Sequence, residues 1–139
     1  MTKKLIDSTI LVYAYDNSDP KKHEIAKEVV KKLEENGDGV LSIQNLAEFS
    51  RALTEKAKPP RPYHEVRRYI LQLESVYTII TYGSNTVAEA LHIASNYNLH
   101  FYDALIAATM EEGFISEIVT ENTKDFRKVP NIVITNPFE

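Results

Sequence analysis

At 139 residues and 15.8 kDa, with 43% hydrophobic and 26% charged residues, the chain has the size and balance of one folded domain; two domains or a disordered chain are excluded. Cysteine is absent, which excludes disulfides, thiolate metal sites and a cysteine nucleophile, and no apolar run approaches the ~20 residues of a bilayer span. A net charge of −4 is the wrong sign for holding nucleic acid by bulk charge, so the expectation is a single cytoplasmic domain over residues 1–139.

Leu5-Ile6 is a short apolar start that ends at Asp7, and Ile10, Leu11, Tyr13 and Ala14 then follow helical spacing. Asp19-Pro20 reads as an N-cap with proline at the first helical position, opening a helix over 21–35 that stops at Asn36-Gly37-Asp38-Gly39. Val40-Leu41-Ser42 is a second strand, and residues 43–56 return to helical spacing through Leu46, Phe49 and Leu53. Pro59-Pro60-Arg61-Pro62 marks a loop inside the domain. A helix over 63–73 precedes a β-branched and aromatic strand at 76–80. Val87, Ala90, Leu91 and Ala94 mark the next helix, and residues 102–112 form an alanine-rich helix that stops at Gly113. Strands at 117–120 and 132–134 end the chain.

Strands therefore alternate with helices nearly throughout. That order calls for right-handed crossovers and a mostly parallel sheet covered on both faces: a three-layer α/β/α fold with about five strands. In such a sheet the ligand crevice lies beyond the carboxyl ends of the strands. Carboxylates recur there: Asp7 after the first strand, Glu48 in the helix after the second, Asp103 at the start of the alanine-rich helix, and Glu121 and Asp125 after the fourth strand. Singly, each has a structural explanation as a helix cap, a dipole partner, a surface residue or a turn former. Jointly they would repel one another unless a cation sat among them. The donor set is all oxygen, with neither cysteine nor a paired-histidine motif, which selects Mg²⁺ or Mn²⁺ over zinc and implies hydrolysis of a phosphodiester by metal-activated water.

Charge is uneven along the chain. Residues 51–68 carry +4 and the remainder −8, which makes Arg51, Lys56, Arg67 and Arg68 the candidate phosphate contacts. Tyr13, Tyr15, Tyr63, Tyr82 and Tyr102 are candidates for base stacking, with packing the competing role. His100, three residues before Asp103, is the one histidine placed to approach a substrate.

Four segments, in order, resemble the motifs of PIN-domain ribonucleases, and most closely the VapC-type toxins of prokaryotic toxin–antitoxin modules. They are Leu5-Ile6-Asp7-Ser8-Thr9, Gln44-Asn45-Leu46-Ala47-Glu48-Phe49, Phe101-Tyr102-Asp103-Ala104-Leu105-Ile106-Ala107-Ala108, and Thr120, Asn122, Asp125 and Phe126. The resemblance spans essentially the whole chain. It implies a five-stranded parallel sheet, a Mg²⁺- or Mn²⁺-dependent endoribonuclease acting on RNA, a homodimer, and inhibition by a cognate antitoxin. Position by position, it makes Asp7 and Asp103 the principal metal ligands, Glu48 the third acid, and Asp125 a fourth acting through water. Thr120 and Asn122 correspond to residues that brace the acids, and Ser8 to the hydroxyl beside the first aspartate. Glu121 has no fixed counterpart.

Other readings fit less well. A catalytically silent scaffold that binds RNA or protein would not need acids at all four positions. A phospho-acceptor receiver wants an acidic pair after the first strand and a lysine after the last. A haloacid-dehalogenase-like phosphatase needs Asp-x-Asp, and position 9 is threonine.

Overall fold

A computed structural model describes residues 2–139; of the expected domain, only Met1 lies outside the described residues. The chain runs β1 (Lys4–Ile6), α1 (Ser8–Tyr15), α2 (Pro20–Asn36), β2 (Gly39–Ser42), α3 (Ile43–Arg51), α4 (Tyr63–Val76), β3 (Thr78–Ile80), α5 (Ser84–Tyr97), α6 (Phe101–Glu112), β4 (Glu117–Val119), α7 (Thr123–Phe126) and β5 (Val133–Thr135). The strands form one sheet in the order β3-β2-β1-β4-β5, every pairing parallel. The chain leaves β1 for β2 and β3 on one side, then crosses back to lay β4 and β5 on the other. The order reverses between β1 and β4, and an α/β sheet opens its ligand crevice at such a reversal.

Strand alternation sorts the core into two faces. Ile6, Leu41 and Val119 point to one face, where Ile10, Leu11, Val30, Phe49 and Leu73 from the first four helices bury them. Leu5, Val40 and Ile118, paired in register, point to the other and pack on Ile106, Met110 and Phe126. A third cluster welds α5 to α6 through Ala90, Ile93, Ala104 and Ala108, where small side chains let the helices approach closely. The three-layer, all-parallel, five-stranded sheet is the architecture the alternation of elements implies.

Three local readings are corrected. Val76 and Tyr77 belong to the end of α4 and its cap, not to β3: Tyr77 is buried and donates to Glu34 at 2.9 Å, while Val76 is exposed. β-branched composition cannot distinguish a last helical turn from a strand start. The helix expected to run to residue 56 is α-helical only to Arg51, then widens into a π-helical turn, Ala52–Lys56. Finally, the segment after the fourth strand, for which no helix is expected, forms one short turn, α7.

Candidate active site at the β1–β4 crevice

β1 passes into α1 without a loop. Asp7 is the junction: its backbone N–H extends the ladder by donating to Val119 O at 3.0 Å, and its carboxylate caps α1 by accepting from Ser8 N at 2.8 Å. One register step beyond Ile6 and Val119 stands Thr120, fully buried, whose hydroxyl donates to Asp7 Oδ2 at 2.7 Å. By the two-residue period, both share the face of Leu5 and Ile118, the face covered by α6, and Asp103 sits in the first turn of α6.

Two more acids approach from the flanks. α3 follows β2 directly, held by reciprocal capping between Ser42 and Asn45, and Glu48 accepts from Ser8 Oγ at 3.2 Å. α7 carries Asp125, whose charge acts on Asp103. Asp7, only 8% exposed, has its carboxyl pushed above the ordinary value of 3.8, chiefly by burial; the bonds from Thr120 and Ser8 oppose this, while the charges of Glu48 and Glu121 add to it. The Asp103 carboxyl is likewise raised, by burial first and then by Asp125 and Asp7, with His100 and the Asn122 side chain acting the other way. Asp7 and Asp103 thus feel each other although 96 positions separate them in sequence.

The ion pairs divide the five acids into two sets. Asp125 pairs with Lys128 at 3.7 Å and Glu121 with Lys22 at 2.9 Å. Among the described residues, Asp7, Glu48 and Asp103 have no cationic partner within 4 Å. No three acid or imidazole side chains among the described residues close on one point as a preformed metal cage. What suits a divalent ion is the donor type and the free valence. Each Asp7 oxygen accepts a single hydrogen bond, which leaves each with a lone pair, and Mg²⁺ takes only one or two carboxylates while keeping several waters.

The remaining expected residues scatter around this centre. Ser8 bridges toward Glu48; the Asn122 backbone N–H donates to Thr120 Oγ1 at 3.0 Å, completing a chain from Asn122 through Thr120 to Asp7. Arg51 and Lys56 line a cleft of about 410 Å³ together with Ser8, Tyr13 and Glu48, so two of the four expected cations border the acids. Arg67 lies one cleft away, beside Arg51 and Tyr63, and Arg68 is exposed on α4 and lines neither cleft. A cleft of about 550 Å³ lies elsewhere: Ser116, Asn131 and Ile132 of its lining precede β4 and β5, at the amino ends of those strands.

Gln44 went unassigned in the sequence reading. Its Nε2 donates to Tyr102 O at 2.9 Å and lies 3.4 Å from Glu48 Oε2, tying α3 to the residue before Asp103. Its spacing of four before Glu48 was the available signal. Of the partners of Glu121, Lys22 carried none, and Tyr13 is marked by the sequence only as a candidate for base stacking.

Residues 4–132 match the family profile of the PIN domain. No curated protein sequence matches the chain. Among solved structures, a toxin–antitoxin complex from Klebsiella pneumoniae contains a chain 25% identical, with 99% of each chain covered and a TM-score of 0.72. VapBC2 from Rickettsia felis, solved bound to a promoter DNA fragment, is similar at 19% identity, 97% and 98% coverage and a TM-score of 0.72. Mycobacterium tuberculosis VapC20, a toxin that cleaves the sarcin–ricin loop, is similar at 16% identity, 84% and 87% coverage and a TM-score of 0.65. The last two show the shared fold.

Proposed function

The chain belongs to the PIN-domain family, and from that premise we propose that it is a divalent-metal-dependent endoribonuclease, the toxin of a toxin–antitoxin pair. The observation that supports the reading is the trio Asp7, Glu48 and Asp103, contributed by the β1–α1 junction, α3 and α6, which among the described residues have no ion-pair partner within 4 Å. A fold that leaves such charge uncompensated is complementary to a cation. The origin of the Klebsiella pneumoniae chain in a toxin–antitoxin complex supports the toxin reading and an antitoxin partner, and the family resemblance supports a homodimer.

In this reading Asp7 and Asp103 hold Mg²⁺ or Mn²⁺, with Glu48 as the third acid and Asp125 acting through water. The ion would lower the pKa of a water and stabilise the leaving oxygen of a phosphodiester. The protein's own part is orientation. Thr120 and the Ser8 N–H fix the Asp7 carboxylate, Ser8 Oγ fixes Glu48, and Gln44 ties Glu48 to the start of α6. Arg51 and Lys56 meet the phosphates entering beside Glu48. The deciding experiment incubates the purified chain with single-stranded RNA and Mg²⁺. Internal cleavage that EDTA stops and Asp7→Asn abolishes is the expected result, and cleavage indifferent to both overturns the reading.

A further inference from the structure

Lys22, on the first turn of α2, belongs to none of the acid motifs, yet it is fixed at the rim of the site. Its Nζ donates to Glu121 Oε2 at 2.9 Å, lies 3.5 Å from the Tyr13 hydroxyl, and stands 5.1 Å from the ring centroids of both Tyr13 and Phe138. Tyr13 donates to the other Glu121 oxygen at 3.0 Å, so both carboxylate oxygens are engaged. Three side chains, from α1, the segment after β4 and the C-terminal segment, thereby hold the one ammonium group that α2 supplies. A surface lysine ordinarily keeps its rotamer freedom, and an exposed ion pair alone would not restrain it.

The position of this ammonium is informative. Glu121 follows Thr120, the residue that holds Asp7, and its charge reaches Asp7. Lys22 therefore stands on the β4 side of the acids. Arg51 and Lys56 follow β2, on the other side of β1 in the sheet order, and line the cleft with Glu48; Tyr13 lines that same cleft while carrying Lys22 over its ring. A polyanion beside an acidic site is repelled by every acid left unneutralised, so cationic side chains on the flanks favour its binding. An ammonium has three donors. One is spent on Glu121 and a second reaches the Tyr13 hydroxyl at 3.5 Å, and with the side chain still 34% exposed, the third remains for a ligand.

We propose that Lys22 binds a backbone phosphate of the RNA strand, on the flank of the acid cluster opposite Arg51 and Lys56, and that Glu121 is the residue positioning it and not a further metal ligand. The inference rests on the nuclease reading above. In this arrangement the strand lies across Asp7 and Asp103 between two cationic grips, which sets the reacting phosphate over the acids.

The test measures affinity for a short single-stranded RNA by fluorescence anisotropy across a KCl series. Ca²⁺, which accepts loose all-oxygen coordination, replaces Mg²⁺ at fixed concentration. Each phosphate contact on a single strand contributes about 0.7 to the slope of log K against log salt. Lys22→Met is expected to flatten that slope by about one such contact, and Lys22→Arg to restore it. Glu121→Gln is expected to keep the slope, because the ammonium remains. A merely structural ion pair would make Lys22→Met and Glu121→Gln behave alike, and an unchanged slope in Lys22→Met, or equal changes in the two, overturns the proposal. Should Lys22→Met melt below the assay temperature, Lys22→Gln takes its place. Wild-type chain showing no salt-dependent RNA binding overturns the nuclease reading itself; wild-type binding with an unaltered Lys22 variant overturns only the role of Lys22.

Discussion

The Thr120 hydroxyl donates to Asp7 Oδ2 at 2.7 Å across 113 positions of sequence, and this bond joins the ends of the two central strands at the point where strand order reverses. Both residues are buried, so the bond forms in a low-dielectric setting where a missing partner is costly. Thr120 also accepts from the Asn122 N–H, which fixes its lone pair and turns its proton toward the aspartate.

Thr120→Val should therefore destabilise the chain by about 1–3 kcal/mol, the cost of leaving buried polar groups unpaired, while Thr120→Ser keeps the hydroxyl and loses much less. Chemical denaturation of the two variants measures the contrast. Equal losses would mean that the methyl group's packing, and not the hydrogen bond, holds the site together.

Asp103→Asn should lower RNA cleavage by about a hundredfold or more, the scale on which removing one preorganised polar group slows an enzyme. Circular dichroism should remain that of the wild type, because Asp103 lies at the rim of the core while Ala104, Leu105 and Ile106 carry the packing. Full activity in this variant argues against the acid site.

Divalent ions should stabilise the folded chain, because they bind the native acids and relieve their repulsion. At an ion concentration about one hundred times Kd the gain is about 2.7 kcal/mol. Thermal melts with and without Mn²⁺ read it directly. Asp103→Asn should blunt the gain, and a response identical to wild type would place the ion elsewhere.

Without metal, stability should fall as pH rises above the ordinary carboxylate range. Asp7 and Asp103 both hold their protons to higher pH in the native chain than in the unfolded one, where the value is 3.8. Between 3.8 and the raised native values the native state binds more protons, so the unfolding free energy declines with pH across that window. Below the window both states are protonated and the penalty is absent; above it the penalty is complete. Urea melts in EDTA at several pH values should show Asp103→Asn declining less steeply than wild type. A variant curve parallel to the wild type's would mean that Asp103 ionises freely.

Gly39→Ala tests the β2 edge of the core. A Cβ at Gly39 would run into the ring of Tyr77, which is held by its bond to Glu34 and cannot swing clear cheaply. A loss of about 1–3 kcal/mol is expected from such overpacking. Wild-type stability would show that the Tyr77 ring relocates.

Much of this was legible from residue order. Asp19-Pro20 and Asn36-Gly37 bracket α2 as read, because capping and left-handed backbone are local chemistry; Gly37 indeed sits at φ 71°. Tyr77 was misread because a β-branched, aromatic run looks alike whether it begins a strand or closes a helix. The π-helical turn at Ala52–Lys56 was invisible, since its residues suit an ordinary helix. Glu121 stayed without a role because its partners, Lys22 and Tyr13, lie about a hundred positions away.

The sequence by itself determined most of the elements and their order, and with them the parallel sheet, because helix caps, turn residues and hydrophobic period act over a few neighbours; its four motifs carried the family resemblance. It also supplied the acids. Only the tertiary structure decided which acids have a side-chain cation beside them and which do not: Asp125 pairs with Lys128 and Glu121 with Lys22, while Asp7, Glu48 and Asp103 have no ion-pair partner within 4 Å among the described residues. The physical reason is range. A charge acts through space on whatever the sheet brings near it, and strand order, which no local pattern encodes, decides what that is.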